Sequence, residues 1–333
     1  MKYRTIGSNP ATRREVSVLS LGAMLFGTAT DEKTAFAILD RYVEAGGTFI
    51  DTSDNYAFWF TGSRGGESEN VLGNWRLSRG VGEEIVIATK LGASPLAPGT
   101  GYVDNPEGLS AAAIRAAVAG SKRRLGVDKL DVLYAHIEDP EVELAETVGE
   151  FGALVNEGSV GLLGVSNHWA WKVERARAIA KAAGLPAYEL LQYQHSYLRH
   201  RTDLPSPLSP DGDLGTADGN LLSLLRAERD ELTLVAYSPL LGGAYVRDDK
   251  PLGAGHDHGS AAARPAALRE VAKDAGATVN QVVLAWLIGA EVPVIPLVGA
   301  SSVAQLDESL AAVDLELTPQ QRERLDTARW SGG

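Results

Sequence analysis

The stretch "LDVLYAHIEDPEVELAETVGEFGALVNEGSVGLLGVSN", residues 130–167, decides the fold class. Two short runs rich in Val and Leu, "LDVLYAH" and "VGLLGVS", flank "PEVELAETVGEFGALVNEG", whose apolar residues recur at helical spacing and which closes in Gly. Strands that are apolar on both faces and joined through a helix pair in parallel, by a right-handed crossover.

Working outward, the same alternation fills the chain. "VSVLSLG", "GTFIDT", "EIVIATK", "YELLQYQ", "LTLVAYS" and "VPVIPLV" read as further strands, with "DEKTAFAILDRYVEAG", "LSAAAIRAAVAGSKRRLG" and "AWKVERARAIAKAAG" among the helices between them. Eight such units in 333 residues predict an α/β fold, a closed (β/α)8 TIM barrel in preference to an open doubly wound sheet. No Pro/Ser-rich linker divides the chain, so residues 1–333 read as one barrel domain. Hydrophobic residues make up 44% and charged residues 22%, enough to bury a sizeable core. The net charge of −12 is spread along the chain and argues against nucleic acid or an anionic membrane as partner. No apolar run is long enough for a membrane span and the N-terminus lacks a signal-peptide centre, so the expected location is the cytoplasm. Cysteine is absent, which removes disulfides, thiolate metal sites and thiol nucleophiles.

Three segments break the rhythm. Residues 91–108, 197–220 and 240–265 are long, polar and rich in Pro and Gly. Each follows a strand, which in a barrel puts it on the C-terminal face where active sites lie.

On that face the strand ends carry chemistry. One strand delivers Asp51 with Tyr56 five residues on, the next ends at Lys90, and the next at His136. An acid, a phenol, an amine and an imidazole suit protonation of a carbonyl oxygen. A free tyrosine, with a pKa near ~10, is too weak an acid at neutral pH unless a nearby cation lowers that pKa. Lys90 is the expected cation, Asp51 its anchor, Tyr56 the proton donor and His136 the group that orients the carbonyl. Asp54 reads as a solvated loop residue.

With these residues in view, the sequence resembles the aldo-keto reductase family along nearly its whole length. "KYRTIG" and "VSVLSLGAMLFG" look like that family's opening hairpin and first strand; "GGTFIDTSDNYA", "IATKLG" and "DVLYAHIED" match its Asp/Tyr, Lys and His motifs. The resemblance implies a nicotinamide cofactor held extended across the barrel mouth. This agrees with the lack of a correctly spaced G-x-G-x-x-G: only "GSVGLLG" and "GAGHDHG" come near it. It implies cofactor contacts from Gly22, Ala23, Met24 and Asp51, from Ser166, Asn167 and Gln192 around the carboxamide, and from Tyr237 stacked on the ring. Ser238, Pro239, Leu240, Gly242, Gly299, Ser301, Gln305, Glu308 and Ser309 would meet the pyrophosphate and adenosine. NADP(H) is the family default. NAD(H) is its rival here, because no Lys or Arg lies between Lys273 and Arg322 to grip a 2′-phosphate and Gln305 stands where the family often has arginine.

Phe58, Trp59 and Phe60 follow the tyrosine and either wall a substrate pocket or pack their loop, and Trp169 faces the same mouth. Trp171 begins a helix and reads equally as core. The substrate class is an aldehyde or ketone, apolar or sugar-like. "HDH" at 256–258 reads as solvated loop residues, and no metal is expected. Two rival functions share the pattern. One is a nucleotide-binding redox sensor or subunit with slow turnover; the other is a barrel hydrolase or isomerase using Asp51, Asp54 or His136.

Overall fold

The computed structural model describes residues 1–97, 105–201, 203–206, 208–212, 214–253, 255–256, 258 and 263–328. An N-terminal hairpin, β1 (Tyr3–Ile6) and β2 (Arg14–Ser17), precedes a closed barrel of eight parallel strands. These are β3 (Ser20–Gly22), β4 (Phe49–Asp51), β5 (Val86–Leu91), β6 (Leu130–Ala135), β7 (Val160–Ser166), β8 (Leu190–Gln194), β9 (Thr233–Tyr237) and β10 (Val294–Gly299), paired in chain order with β10 closing on β3. The eight expected strands are the eight of the barrel, and "VSVLSLG" divides between the hairpin and β3. The surrounding helices are α1 (Glu32–Glu44), α2 (Phe58–Thr61), α3 (Glu67–Arg79), α4 (Ala111–Leu125), α5 (Leu144–Asn156), α6 (Ala170–Ala182), α7 (Gly219–Ala227), α8 (Ala263–Ala275), α9 (Val279–Ile288), α10 (Val303–Ala311) and α11 (Pro319–Thr327). Their ends carry local signals. Asp31 and Ser110 cap α1 and α4 by accepting from Thr34 N and Ala113 N, and Gly126 ends α4 in the left-handed region.

The two-residue period of each strand sorts its side chains between two cores. Ile50, Ile87, Leu133, Leu163, Leu191 and Leu234 face outward into the shell packed by the helices. Phe49, Val86, Ala88, Val132, Tyr134, Leu162, Leu190 and Val235 fill the interior, joined by Ile6 and Val16 of the hairpin, which therefore covers the N-terminal end. Gly164 is required beside Tyr134, because a Cβ there would run into the phenol ring. Continuing the same alternation two residues further, from Phe49, Ala88, Tyr134, Gly164, Leu190 and Val235, brings Asp51, Lys90, His136, Ser166, Gln192 and Tyr237 to the interior face above this apolar plug.

Candidate active site

Lys90 is fully buried, and its ammonium donates to Asp51 Oδ1, to the Thr52 carbonyl at 2.7 Å and to the Tyr56 hydroxyl at 3.2 Å. Gln192 Nε2 donates to the other Asp51 oxygen at 2.7 Å, so both oxygens of the carboxylate are engaged. Strand register makes this possible: Asp51 lies opposite Ala88 on β5, two residues before Lys90 on the same face. A buried ammonium is costly without partners, and here the carboxylate and the carbonyl supply them.

The electrostatics follow from burial and neighbours. Burial works against the charge on Lys90, but the Asp51 carboxylate and Tyr56 raise its pKa above the ordinary value, so it stays an ammonium. Burial raises the Asp51 carboxyl, opposed by the Lys90 charge and by the hydrogen bonds from Lys90 and Gln192. Burial likewise raises the Tyr56 phenol, and Lys90 offsets only part of that rise. Lys90 thus does not lower the phenol below its free value. Tyr56 keeps its proton at neutral pH, and the ammonium stands ready to stabilise the phenolate once the proton leaves. Burial and the Lys90 charge hold His136 well below the usual imidazole range, leaving it neutral. Its ring meets Tyr56 edge-on at 5.9 Å, and its Nδ1 lies 3.1 Å from Ser53 Oγ.

Asp54 is not solvated. It is 4% exposed, beneath the loop that carries Glu107, and its backbone N–H donates to the Lys90 carbonyl at 3.1 Å. Burial and the nearby carboxylates of Glu107 and Glu69 push its carboxyl well above the ordinary range. Glu69, itself fully buried, accepts from Thr89 Oγ1 at 2.6 Å and from Arg124 Nε at 2.6 Å. Sequence spacing gives no sign of this cluster, because Ala93 and Glu107 reach the turn after β4 from a distant part of the chain.

The residues expected to contact a cofactor lie at the C-terminal ends of β3, β4 and β7 to β10, in the turns that follow, and on α10. Ser166 Oγ donates to the Gln192 carbonyl at 2.8 Å, Asn167 Nδ2 donates to the His136 carbonyl at 2.9 Å, and Tyr237 donates to Asn167 Oδ1 at 3.0 Å and to the Gly215 carbonyl at 3.1 Å. Gly22 is half-buried, Ala23 buried and Met24 exposed. Ser238, Gly242 and Gly299 are exposed, Pro239 is buried and Leu240 half-buried. Leu241, Gly242 and Gly243 all take positive φ, and added Cβ atoms at Gly242 and Gly299 would meet nothing. Such an open backbone turn beside a helix N-terminus fits a pyrophosphate. Of the two serines before α10, Ser302 is the N-cap; Gln305 Oε1 accepts from both Ser301 N and Ser301 Oγ at 2.9 Å. Glu308 ties α10 to Thr278 at 2.8 Å, and buried Ser309 donates to the Gln305 carbonyl at 3.3 Å.

The aromatic residues part company. Phe58 is buried and packs its short helix, whereas Trp59 is 46% exposed and meets Tyr56 edge-on at 6.2 Å. Trp169 is half-buried at the α6 N-terminus, its backbone N–H donating to Glu138 Oε1 at 2.7 Å. Trp171 is exposed, flanked by Lys172 and Arg175, and is not core. Residues 214–217 fold onto the mouth, with the Gly215 carbonyl accepting from Gln194 N at 2.8 Å. Of "HDH", His256 is buried against the His200 ring at 4.7 Å, a packed residue and not a solvated one, and Asp257 lies outside the described residues. Among the described residues no group of three His, Asp or Glu is placed to hold a metal ion, and no helix is long and apolar enough to cross a membrane. Sequence reasoning missed Thr52, Ser53 and Asn55. Ser53 was accessible by alternation, since it stands two residues after Asp51 on the approach to Tyr56.

Residues 18–329 match the Aldo/keto reductase family. The chain belongs to this family. It is 31% identical to norsolorinic acid reductase B of Aspergillus parasiticus, covering 98% of this chain and 84% of that protein. It is 31% identical to the uncharacterized oxidoreductase YrpG of Bacillus subtilis, over 95% and 92% of the two chains. With the aryl-alcohol dehydrogenase GME11368 of Pestalotiopsis microspora it shares 28% identity over 95% and 80%. These aldo/keto reductase relatives are named for reductase, oxidoreductase or dehydrogenase activity, which makes this chain a member of an oxidoreductase family.

Proposed function

We propose that the protein is a nicotinamide-dependent carbonyl reductase working as one barrel unit, with Tyr56, Lys90, Asp51 and His136 as its catalytic residues. The observation that carries this reading is the Lys90 ammonium shared between Asp51 and the Tyr56 hydroxyl, at 3.2 Å from the latter. The bound dinucleotide supplies the hydride. Tyr56 gives its proton to the carbonyl oxygen, Lys90 stabilises the phenolate left behind, Asp51 and Gln192 hold the ammonium in place, and His136 orients the substrate. Ser166, Asn167, Gln192 and Tyr237 would hold the nicotinamide, and the turn at Ser238–Gly243 with Gly299 and Ser301 the phosphates. Trp59 and Trp169 offer an aromatic wall. That agrees with relatives named for norsolorinic acid and aryl alcohols, and points to an aldehyde or ketone substrate.

Cofactor choice turns on α10. With no Lys or Arg in that segment and Gln305 bonded to Ser301, α10 itself offers a 2′-phosphate only hydroxyls and backbone N–H groups, and a charge-assisted contact of about 1.5–3 kcal/mol from this helix is forgone. NAD(H) therefore competes with NADP(H). The test is titration with NADPH and NADH followed by a panel of aldehydes, ketones and oxidised sugars. Turnover of reduced cofactor supports the reading. Tight nucleotide binding with no turnover of any carbonyl would favour a sensor or regulatory subunit.

A further inference from the structure

A lysine ammonium has three N–H donors, and Lys90 has three acceptors: Asp51 Oδ1, the Thr52 carbonyl at 2.7 Å and the Tyr56 oxygen at 3.2 Å. Two of these fix its rotation. With one proton on the carboxylate and one on the carbonyl, the tetrahedral nitrogen has a single direction left for the third, which goes to the phenol. The phenol oxygen accepts there, and among the described residues its own proton has no acceptor, so that proton is free to leave. The aim of the ammonium therefore depends on where the Thr52 carbonyl is held.

A buried chain holds it. Thr52 Oγ1 and Ser68 Oγ lie 2.7 Å apart, and Ser68 Oγ donates to the Ala23 carbonyl at 2.7 Å. Ser68 has one hydroxyl proton and a carbonyl only accepts, so Thr52 is the donor to Ser68 and the chain runs from Thr52 through Ser68 to Ala23. All three residues are fully buried. The backbone completes the unit: Ala23 N donates to the Asp51 carbonyl and Thr52 N to the Ala88 carbonyl, each at 2.8 Å. The end of β3, the end of β4 and the first turn of α3 are thereby joined around Thr52.

We propose that Thr52 and Ser68 are positioning residues for the acid: their hydroxyl chain clamps the Thr52 carbonyl on the Lys90 ammonium and so keeps one ammonium proton on the Tyr56 oxygen. For its effect on rate the inference rests on the carbonyl-reductase reading. When Tyr56 gives its proton to the carbonyl oxygen, the ammonium proton already in place stabilises the phenolate without reorientation, and the phenolate later recovers a proton from solvent. Both residues act through Lys90.

The Thr52 carbonyl belongs to the backbone, so the hydroxyls are the handle. Thr52→Val, Ser68→Ala and Thr52→Ser are compared with the parent in two arms on the full chain. The first reads the ¹⁵Nζ–H signal of Lys90 near neutral pH in ¹⁵N-lysine protein, assigned by its loss in Lys90→Met. The parent and Thr52→Ser should exchange that proton slowly with water, Thr52→Val and Ser68→Ala about tenfold faster, the scale of one hydrogen bond. Equal exchange in all four overturns the clamp, as does fast exchange in the parent. The second arm reads kcat, KM and the pH–rate profile with a carbonyl the parent reduces. Thr52→Val and Ser68→Ala should each lower kcat about tenfold at unchanged KM and move the alkaline limb upward, because the phenolate loses part of its stabilisation; Thr52→Ser should keep the parent's values. A lowered melting temperature with kcat and the limb unmoved would make the chain a structural brace and refute the proposal. Because the two hydroxyls sit on separate residues, misfolding of one variant leaves the other to decide. No turnover of any carbonyl beside the expected exchange pattern would refute the reductase reading and leave the clamp standing.

Discussion

The Lys90 ammonium donates to the Tyr56 hydroxyl at 3.2 Å while its charge is held by Asp51, so one buried cation bridges the phenol and the carboxylate. Burial raises the phenol and Lys90 offsets part of the rise. The cation therefore matters most when the phenolate forms.

Lys90→Met should lower kcat by about 10²–10³-fold, the scale of losing one preorganised electrostatic contact. Any remaining activity should have its alkaline limb moved upward, because the phenol loses the charge that favoured its ionised form. The measurement is a pH–rate profile of parent and variant. Overlapping profiles would remove Lys90 from the proton transfer.

Asp54 gives a stability prediction. Its carboxyl is raised well above the ordinary range by burial and by Glu107 and Glu69. Between the unfolded value, about 4, and that raised value, the folded chain holds a proton the unfolded chain releases, so stability falls as pH rises through the window. Asp54→Asn removes the effect. Its melting temperature should exceed the parent's by a margin that grows from about pH 4 upward. A margin that is constant with pH, or larger in acid, would contradict the assignment.

Acid sensitivity has a second source in His195, which burial, with Arg199 and Arg264 nearby, lowers to about 3. Here the unfolded chain, with a value about 6.5, takes up the proton first. Stability is present above that value and is lost as pH falls toward about 3, by up to about 1.4 kcal/mol per pH unit. His195→Gln should flatten the melting profile below about pH 6.5. An unchanged slope would place the acid sensitivity elsewhere.

At α10, Gln305→Arg adds a cation to a segment that has none. The NADPH-to-NADH ratio of kcat/KM should rise by about tenfold or more, from a charge-assisted contact of about 1.5–3 kcal/mol. An unmoved ratio would mean that the 2′-phosphate, if bound, does not meet this helix.

The barrel was legible because local periodicity carries it: eight apolar runs and the helices between them are local features, and the alternation that aims Asp51, Lys90 and His136 at one mouth follows from the strands themselves. What was hidden depends on contacts between distant segments. Asp54 reads as a loop residue until Glu107 and Glu69 are seen beside it. His256 reads as solvated until the His200 ring is seen against it. The fall of the Tyr56 pKa expected from Lys90 alone omitted burial, which sequence does not quantify. Ser53 escaped notice although its spacing from Asp51 put it on the inner face, because its contacts with Asn55 and His136 join separate parts of the fold.

The most direct test of the central claim compares the parent with Tyr56→Phe, measuring nucleotide affinity and the rate of reduced-nicotinamide oxidation with an accepted carbonyl. The account predicts nearly unchanged affinity and a rate reduced by about 10²–10⁴-fold, the usual contribution of a general acid. A variant that reduces the carbonyl at the parent's rate would show that the proton comes from elsewhere, and the assembly of Asp51, Lys90 and Tyr56 would lose its proposed purpose.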